Sequence, residues 1–209
     1  MSKLFIICGH GANDPGAIGN GYSEAERVRA LAKQIKSFGG ENVIIGDMNK
    51  NWYADNMVNN KNIPKGVKAL ELHMDSSLSL SARGAHVIID ADLKADKNDE
   101  VLAKYISGVF PGRSEILAKR NNLANLNRAQ ANGINYRLLE CGFISNAEDV
   151  KIFNSKMDEI AKGILKCFDI KPIEKMYRVQ VGAFSVKANA ERMKDELIAK
   201  GYKAFIKED

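Results

Sequence analysis

The sequence predicts an α/β fold with a mixed, mainly parallel sheet flanked by helices, followed by a small C-terminal strand-helix-strand unit. Three observations carry this prediction. Short continuous apolar runs such as Leu4-Phe5-Ile6-Ile7 fit strands buried on both faces. Longer stretches place apolar residues at helical spacing. The two kinds alternate as far as Phe168, the pattern of a layered α/β sheet.

Leu4 to Ile7 is the first central strand, and it places His10 at its end. The stretch from there to Gly21 is rich in Gly, Asn, Asp and Pro and is expected as loop. From Glu24, a stripe of Ala25, Val28, Leu31, Ala32 and Ile35 marks a crossover helix closed by Gly39-Gly40. Val43 to Ile45, Val67 to Leu72 and Ala85 to Ile89 are expected as strands, with a helix over Tyr53 to Asn60. A helix over Val101 to Val109 and a strand over Tyr136 to Leu139 follow. One long final helix shows Val150, Phe153, Met157, Ile160, Ile164 and Leu165 on one face, capped by Asn146 with acids in its first turn.

Asp169-Ile170-Lys171-Pro172-Ile173-Glu174-Lys175 has the proline and charge of a linker. Beyond it, Tyr177, Val179 and Val181 alternate as a strand, Ala190, Met193, Leu197 and Ile198 line a helix, and Gly201 precedes a strand from Tyr202 to Ile206. The expected division is a main domain over 1–169, a linker over 170–175 and a small unit over 176–209.

Composition sets the class. At 209 residues, with 45% hydrophobic and 27% charged residues, the chain suits one substantial domain and an appendage, outside the disordered range. The net charge of +5 is spread among acids, which reads as a solvated surface. No basic stretch with interleaved aromatics points to nucleic acid. The N-terminal apolar run is too short for a signal peptide or a membrane span, so synthesis in the cytoplasm without membrane insertion is expected. A substrate outside the cell would then be met only after release by some other agent. Cys8, Cys141 and Cys167 lack metal-finger spacing and read as buried thiols in a reducing compartment.

Chemistry concentrates at strand ends. His10 in Cys8-Gly9-His10-Gly11, Glu24 at the first helix, His73 in Glu71-Leu72-His73-Met74-Asp75 and Glu140 in Leu139-Glu140-Cys141-Gly142 form the donor set of a catalytic zinc site. Such a site takes three His or carboxylate ligands and leaves a position for water. His10, Glu24 and His73 are the expected ligands of Zn²⁺, and Glu140 the general acid/base. Glu26 competes with Glu24, but two positions apart on a helix only one of them faces the metal. Taken singly, each residue has a structural alternative: His10 as a loop hydrogen-bonder, His73 as a polar strand end, Glu140 as a partner of Arg137. His86, inside a strand, reads as pocket-lining or structural.

These segments resemble the zinc-dependent N-acetylmuramoyl-L-alanine amidases of the amidase_3 type, especially phage endolysins and autolysins of spore formers. The resemblance spans about residues 1 to 168. It rests on Gly9-His10-Gly11-Ala12-Asn13-Asp14-Pro15-Gly16-Ala17, on Glu24, on His73, and on Glu140-Cys141-Gly142-Phe143-Ile144-Ser145-Asn146. The chain departs from the family's common Ser-x-His-x-Asn-Ala at Glu71-Leu72-His73-Met74-Asp75-Ser76, where Asp75 adds charge beside the metal and bears on substrate contacts. Tyr177-Arg178-Val179-Gln180-Val181-Gly182-Ala183-Phe184 resembles the opening of a SPOR domain, a peptidoglycan-binding module, of which the chain holds one half. A lone half buries little apolar surface, so pairing with the same half of a second chain is expected.

The resemblance implies a peptidoglycan hydrolase that cleaves the amide between N-acetylmuramic acid and L-alanine, in cell lysis or wall turnover. A zinc peptidase cutting the stem peptide uses the same chemistry and is an open alternative, as is a non-catalytic wall-binding protein. Glu140 weighs against the latter, since binding needs no base.

Overall fold

Strand β1 (Leu4–Cys8) is buried along its whole length, because it lies inside a six-stranded sheet with both faces covered. The computed structural model describes residues 3–11, 13–174 and 179–208. Two units form, Met1–Glu174 and Lys175–Asp209.

In the larger unit, β1 leads into a two-stranded hairpin of β2 (Ile18–Gly19) and β3 (Tyr22–Ser23). Helix α1 (Glu24–Gly39), β4 (Val43–Ile45), β5 (Lys68–Asp75) and β6 (His86–Asp90) follow, then α2 (Lys97–Val109), β7 (Leu117–Arg120) and α3 (Ala124–Ala131). The unit closes with β8 (Asn135–Phe143), α4 (Ala147–Ser155) and α5 (Met157–Cys167). The sheet order is β4-β1-β5-β8-β6-β7, and every neighbouring pair is parallel except β6 with β8. The mixed, mainly parallel sheet is therefore as expected.

Strand alternation divides the core in two. Leu4 and Ile6 join Leu31, Ile35, Leu72, Leu139 and Ile164 beneath α1, α2 and α5, whereas Phe5 and Ile7 face Trp52, Ile88, Leu126 and Leu138 on the other side. Local signals set the helix starts. The Ser23 hydroxyl accepts from the Glu26 amide at 3.3 Å, Asp96 and Asp99 form a capping box on α2, and Asn146 caps α4.

Several elements differ from expectation. Residues 53–60 form turns, not a helix, because the side-chain oxygens of Asn51 and Asn59 capture the amides of Tyr53, Ala54, Lys61 and Asn62. Asn56 adds a left-handed φ of 49° that no helix tolerates. The long final helix is two helices, α4 and α5, separated at Lys156, where the Ser155 hydroxyl bonds back to Lys151 O at 2.8 Å. The hairpin, β7 and α3 were not expected.

In the C-terminal unit, α6 (Lys187–Ala199) forms, but the flanking strands do not form among the described residues. Tyr177 lies outside the described residues. Val179 is 88% exposed and Phe205 72%, so the apolar positions meant for a sheet bury nothing there. A two-stranded ribbon gains too little by itself to hold. No helix of the described residues is long and apolar enough to cross a membrane.

Candidate metal centre

The C-terminal ends of β1, β5 and β8 gather the reactive side chains at one rim of the sheet. His10 follows β1 in a left-handed conformation, φ 57°, inside a loop closed by paired backbone hydrogen bonds between Gly11 and Asp14. The Asp14 carboxylate receives the Gly16 amide at 2.9 Å and Asn51 Nδ2 at 3.0 Å, and it lies 2.8 Å from His10 Nδ1. This fixes the ring so that Nε2 points to Glu24 Oε2 at 3.2 Å.

Glu24 opens α1, so its carboxylate sits at a helix N-terminus, where negative charge is favoured. It also accepts from the amides of Ala17 at 3.2 Å and Met74 at 3.1 Å. His73, on β5, brings Nδ1 to within 2.7 Å of Glu24 Oε1. One donor atom from each of His10, Glu24 and His73 lies within 4.8 Å of the others. Glu26 is on the exposed side, paired with Arg27 at 2.5 Å.

The donors fit zinc, since two imidazoles and a carboxylate are the nitrogen and oxygen ligands that Zn²⁺ takes in catalytic sites. The backbone makes room for them. A Cβ on Gly9 would meet the His73 ring at 2.3 Å, and one on Gly16 would meet His10 at 2.7 Å and Glu24 Oε2 at 2.8 Å.

Charge is balanced inside the cluster. Burial works to raise the Glu24 carboxyl, but hydrogen bonds from His10 and His73 prevail and hold it well below the usual range. The Glu24 hydrogen bond raises the pKa of His10. Burial opposes charge on His73, yet Glu24 and Glu71 together hold its pKa well above the ordinary value.

Glu140 stands on β8 beside both neighbours, in register with His73 of β5 and with His86 of β6. Its Oε2 is shut off from solvent and has no hydrogen-bond partner among the described residues. Burial pushes this carboxyl up to about 7. The His86 Nδ1 is likewise without a partner, and burial lowers its pKa to about 4. Arg137 does not approach Glu140; it pairs with Asp99 at 2.8 Å and Asp96 at 3.1 Å. Asp75 forms an ion pair with Arg113, whose guanidinium lies 4.6 Å from the centre of the Phe143 ring.

Sequence reasoning missed three supporting residues. Asp14, within the stretch expected only as loop, holds His10. Arg29 donates to the carbonyls of Gly9, His10, Ala25 and Met48. Glu71 approaches His73 Nε2 with Oε1 at 3.5 Å. Its spacing two residues before His73 on a strand was the available signal, because such residues share a face. Cys8, Cys141 and Cys167 are buried free thiols, as expected.

A layered α/β sheet thus carries at its rim two imidazoles and a carboxylate, a donor set that could hold a metal ion, with the buried Glu140 carboxyl beside it. Residues 4–168 match the family Amidase_3, N-acetylmuramoyl-L-alanine amidase, and the chain belongs to that family. Residues 174–209 match the SPOR domain.

Among curated proteins, the chain is 33% identical to "Probable autolysin PH" of Staphylococcus aureus over 96% of its length, and spans 44% of that protein. It is 26% identical to the sporulation-specific N-acetylmuramoyl-L-alanine amidase of Bacillus subtilis, covering 99% of this chain and 84% of that one. Among solved structures, the catalytic domain of the CD27L endolysin targeting Clostridia difficile aligns with a TM-score of 0.65 at 23% identity, covering 83% of this chain and 100% of that one. The CwlD amidase from Clostridioides difficile, solved with the GerS lipoprotein, aligns at 0.64 and 22% identity, covering 80% and 97%. These structural likenesses show the fold.

Proposed function

We propose that the protein is a peptidoglycan hydrolase that cleaves the amide between N-acetylmuramic acid and the L-alanine of the stem peptide. The observation that carries this reading is the convergence of His10, Glu24 and His73 beside Glu140 in a chain of this family. His10, Glu24 and His73 would hold Zn²⁺. When bound, zinc supplies Lewis acidity, which acidifies water and polarises a carbonyl.

The protein's own groups manage the protons. Glu140, with its pKa near neutrality, accepts a proton from the attacking water and returns it to the departing alanine nitrogen. Asp14 holds His10 in place. Asp75 and His86 flank Glu140 and form the wall against which substrate lies. Residues 1–169 act as the catalytic domain, 170–175 as the linker and 176–209 as a half SPOR-like unit that binds the wall. The exposed Val179, Tyr202 and Phe205 support pairing of this unit with its copy in a second chain, which sedimentation at micromolar concentration tests as dimer against monomer. The site of action is the bacterial wall, after release from the cell that makes the protein.

Purified peptidoglycan treated with the zinc-loaded protein should yield new N-terminal L-alanine and no new reducing sugar. Other new peptide ends would make it a stem-peptide peptidase. Wall binding with no release would make it a binding protein.

A further inference from the structure

We infer that the two histidines of the metal centre present opposite ring nitrogens, His10 through Nε2 and His73 through Nδ1, and that Glu71 imposes this on His73. The inference rests on the zinc reading above and adds a positioning residue to it.

Around His10 the assignment follows from Asp14. Its carboxylate, 2.8 Å from Nδ1, holds a proton on that nitrogen, so the nitrogen left to give up its proton to a cation is Nε2, which faces Glu24 at 3.2 Å. His73 is arranged the other way round. Nδ1 faces Glu24 at 2.7 Å, while Nε2 faces Glu71 Oε1 at 3.5 Å.

Glu71 is itself held in place. Asn125 Nδ2 donates to Oε1 at 2.9 Å and the Tyr136 hydroxyl donates to Oε2, both inside the core. A carboxylate locked there repels a bare ring nitrogen and attracts an N–H. With the cluster metal-free, both nitrogens of His73 face carboxylates. When a cation enters among the three donors, the proton displaced is the one on the Glu24 side, and Nε2 keeps its proton against Glu71. A carboxylate behind the imidazole also raises its strength as a donor.

The chain's three histidines make the test direct. Nitrogen-isotope-labelled histidine in the full-length, zinc-loaded protein reports which ring nitrogen carries the proton. The expected spectra show Nδ1–H on His10 and Nε2–H on His73. A proton on Nδ1 of His73 would overturn the inference while leaving zinc binding intact. Absence of any zinc-dependent change in either ring would overturn the zinc reading beneath it.

In parallel, Glu71→Gln keeps the shape and removes the charge. Its zinc affinity by chelator competition should fall about 10- to 100-fold, with the unfolding midpoint of the metal-free protein little changed. An affinity within about twofold of the parent would remove Glu71 from the role. Tyr136→Phe, which frees one Glu71 oxygen, should shift affinity in the same direction, and serves if Glu71→Gln does not fold.

Discussion

The guanidinium of Arg29 donates to the carbonyl oxygen of His10 at 2.9 Å and so ties the helix that carries Glu24 to the loop that carries His10. The same group reaches Gly9 O at 3.1 Å, Ala25 O at 3.0 Å and Met48 O at 3.1 Å. Two of the three candidate ligands are thus spaced by one planar cation. Arg29→Lys cannot span four carbonyls. It should lose roughly 1.5–3 kcal/mol of stability and weaken zinc binding, as measured by denaturant unfolding and by chelator competition.

Glu140→Gln preserves shape but cannot accept a proton. Release of N-terminal alanine should fall by about 10²- to 10⁴-fold, while zinc content and wall binding stay at the parent level. Loss of zinc in this variant would place Glu140 among the ligands instead.

The same substitution should alter how stability depends on pH. Burial holds the Glu140 carboxyl at about 7 in the folded protein, against about 4.3 in an unfolded chain. A carboxyl with a raised pKa contributes stability that is fully present below about pH 4 and is lost as pH rises through 7. At about 1.4 kcal/mol per pKa unit, the contribution is on the order of 4 kcal/mol. Chelator-treated Glu140→Gln should therefore gain stability over the parent between pH 5 and 8 in urea titrations, with the gap widening as pH rises.

Gly9 has no room for a side chain. A Cβ there would lie 2.3 Å from the His73 ring, so Gly9→Ala must push His73 away from Glu24. The expected result is a folded protein with zinc affinity lowered at least about tenfold, read by calorimetric titration of the metal-free protein.

Far from the rim, Arg137 is buried and paired with Asp99 and Asp96. Arg137→Ala leaves the buried Asp99 without its cation and should cost about 3–5 kcal/mol of stability. Zinc affinity, measured where the variant is folded, should stay near the parent value.

The legible parts of the sequence were those with a local signature. Leu4 to Ile7 and the α1 stripe announce a buried strand and an amphipathic helix, and His10, Glu24, His73 and Glu140 stand out by residue type at strand ends and at a helix start. The elements that escaped have no such signature. Strand β7 reads Leu-Ala-Lys-Arg at a sheet edge with only Ala118 buried, and α3, Ala-Asn-Leu-Asn-Arg-Ala-Gln-Ala, packs only a narrow stripe. Residues 53–60 misled because Trp52 and Val58 are core residues held by turns rather than by a helix. Asp14 and Arg29 gain meaning only from partners distant in sequence or set by loop geometry, and Glu71 offered only its two-residue spacing from His73.

Strand β6 runs against β8, and this reversal brings its first residue, His86, alongside Glu140. The connection from Asp75 to His86 consequently begins and ends at the same rim and never has to traverse the length of the sheet. It is pinned at Ser77, whose amide donates to the Ser145 hydroxyl oxygen at 3.1 Å, and at Leu80, whose carbonyl accepts from Asn146 at 2.7 Å, while Leu78 and Leu80 stand out into solvent. Such a connection is an exchangeable cassette: its length and sequence can be rewritten while every strand of the scaffold keeps its register.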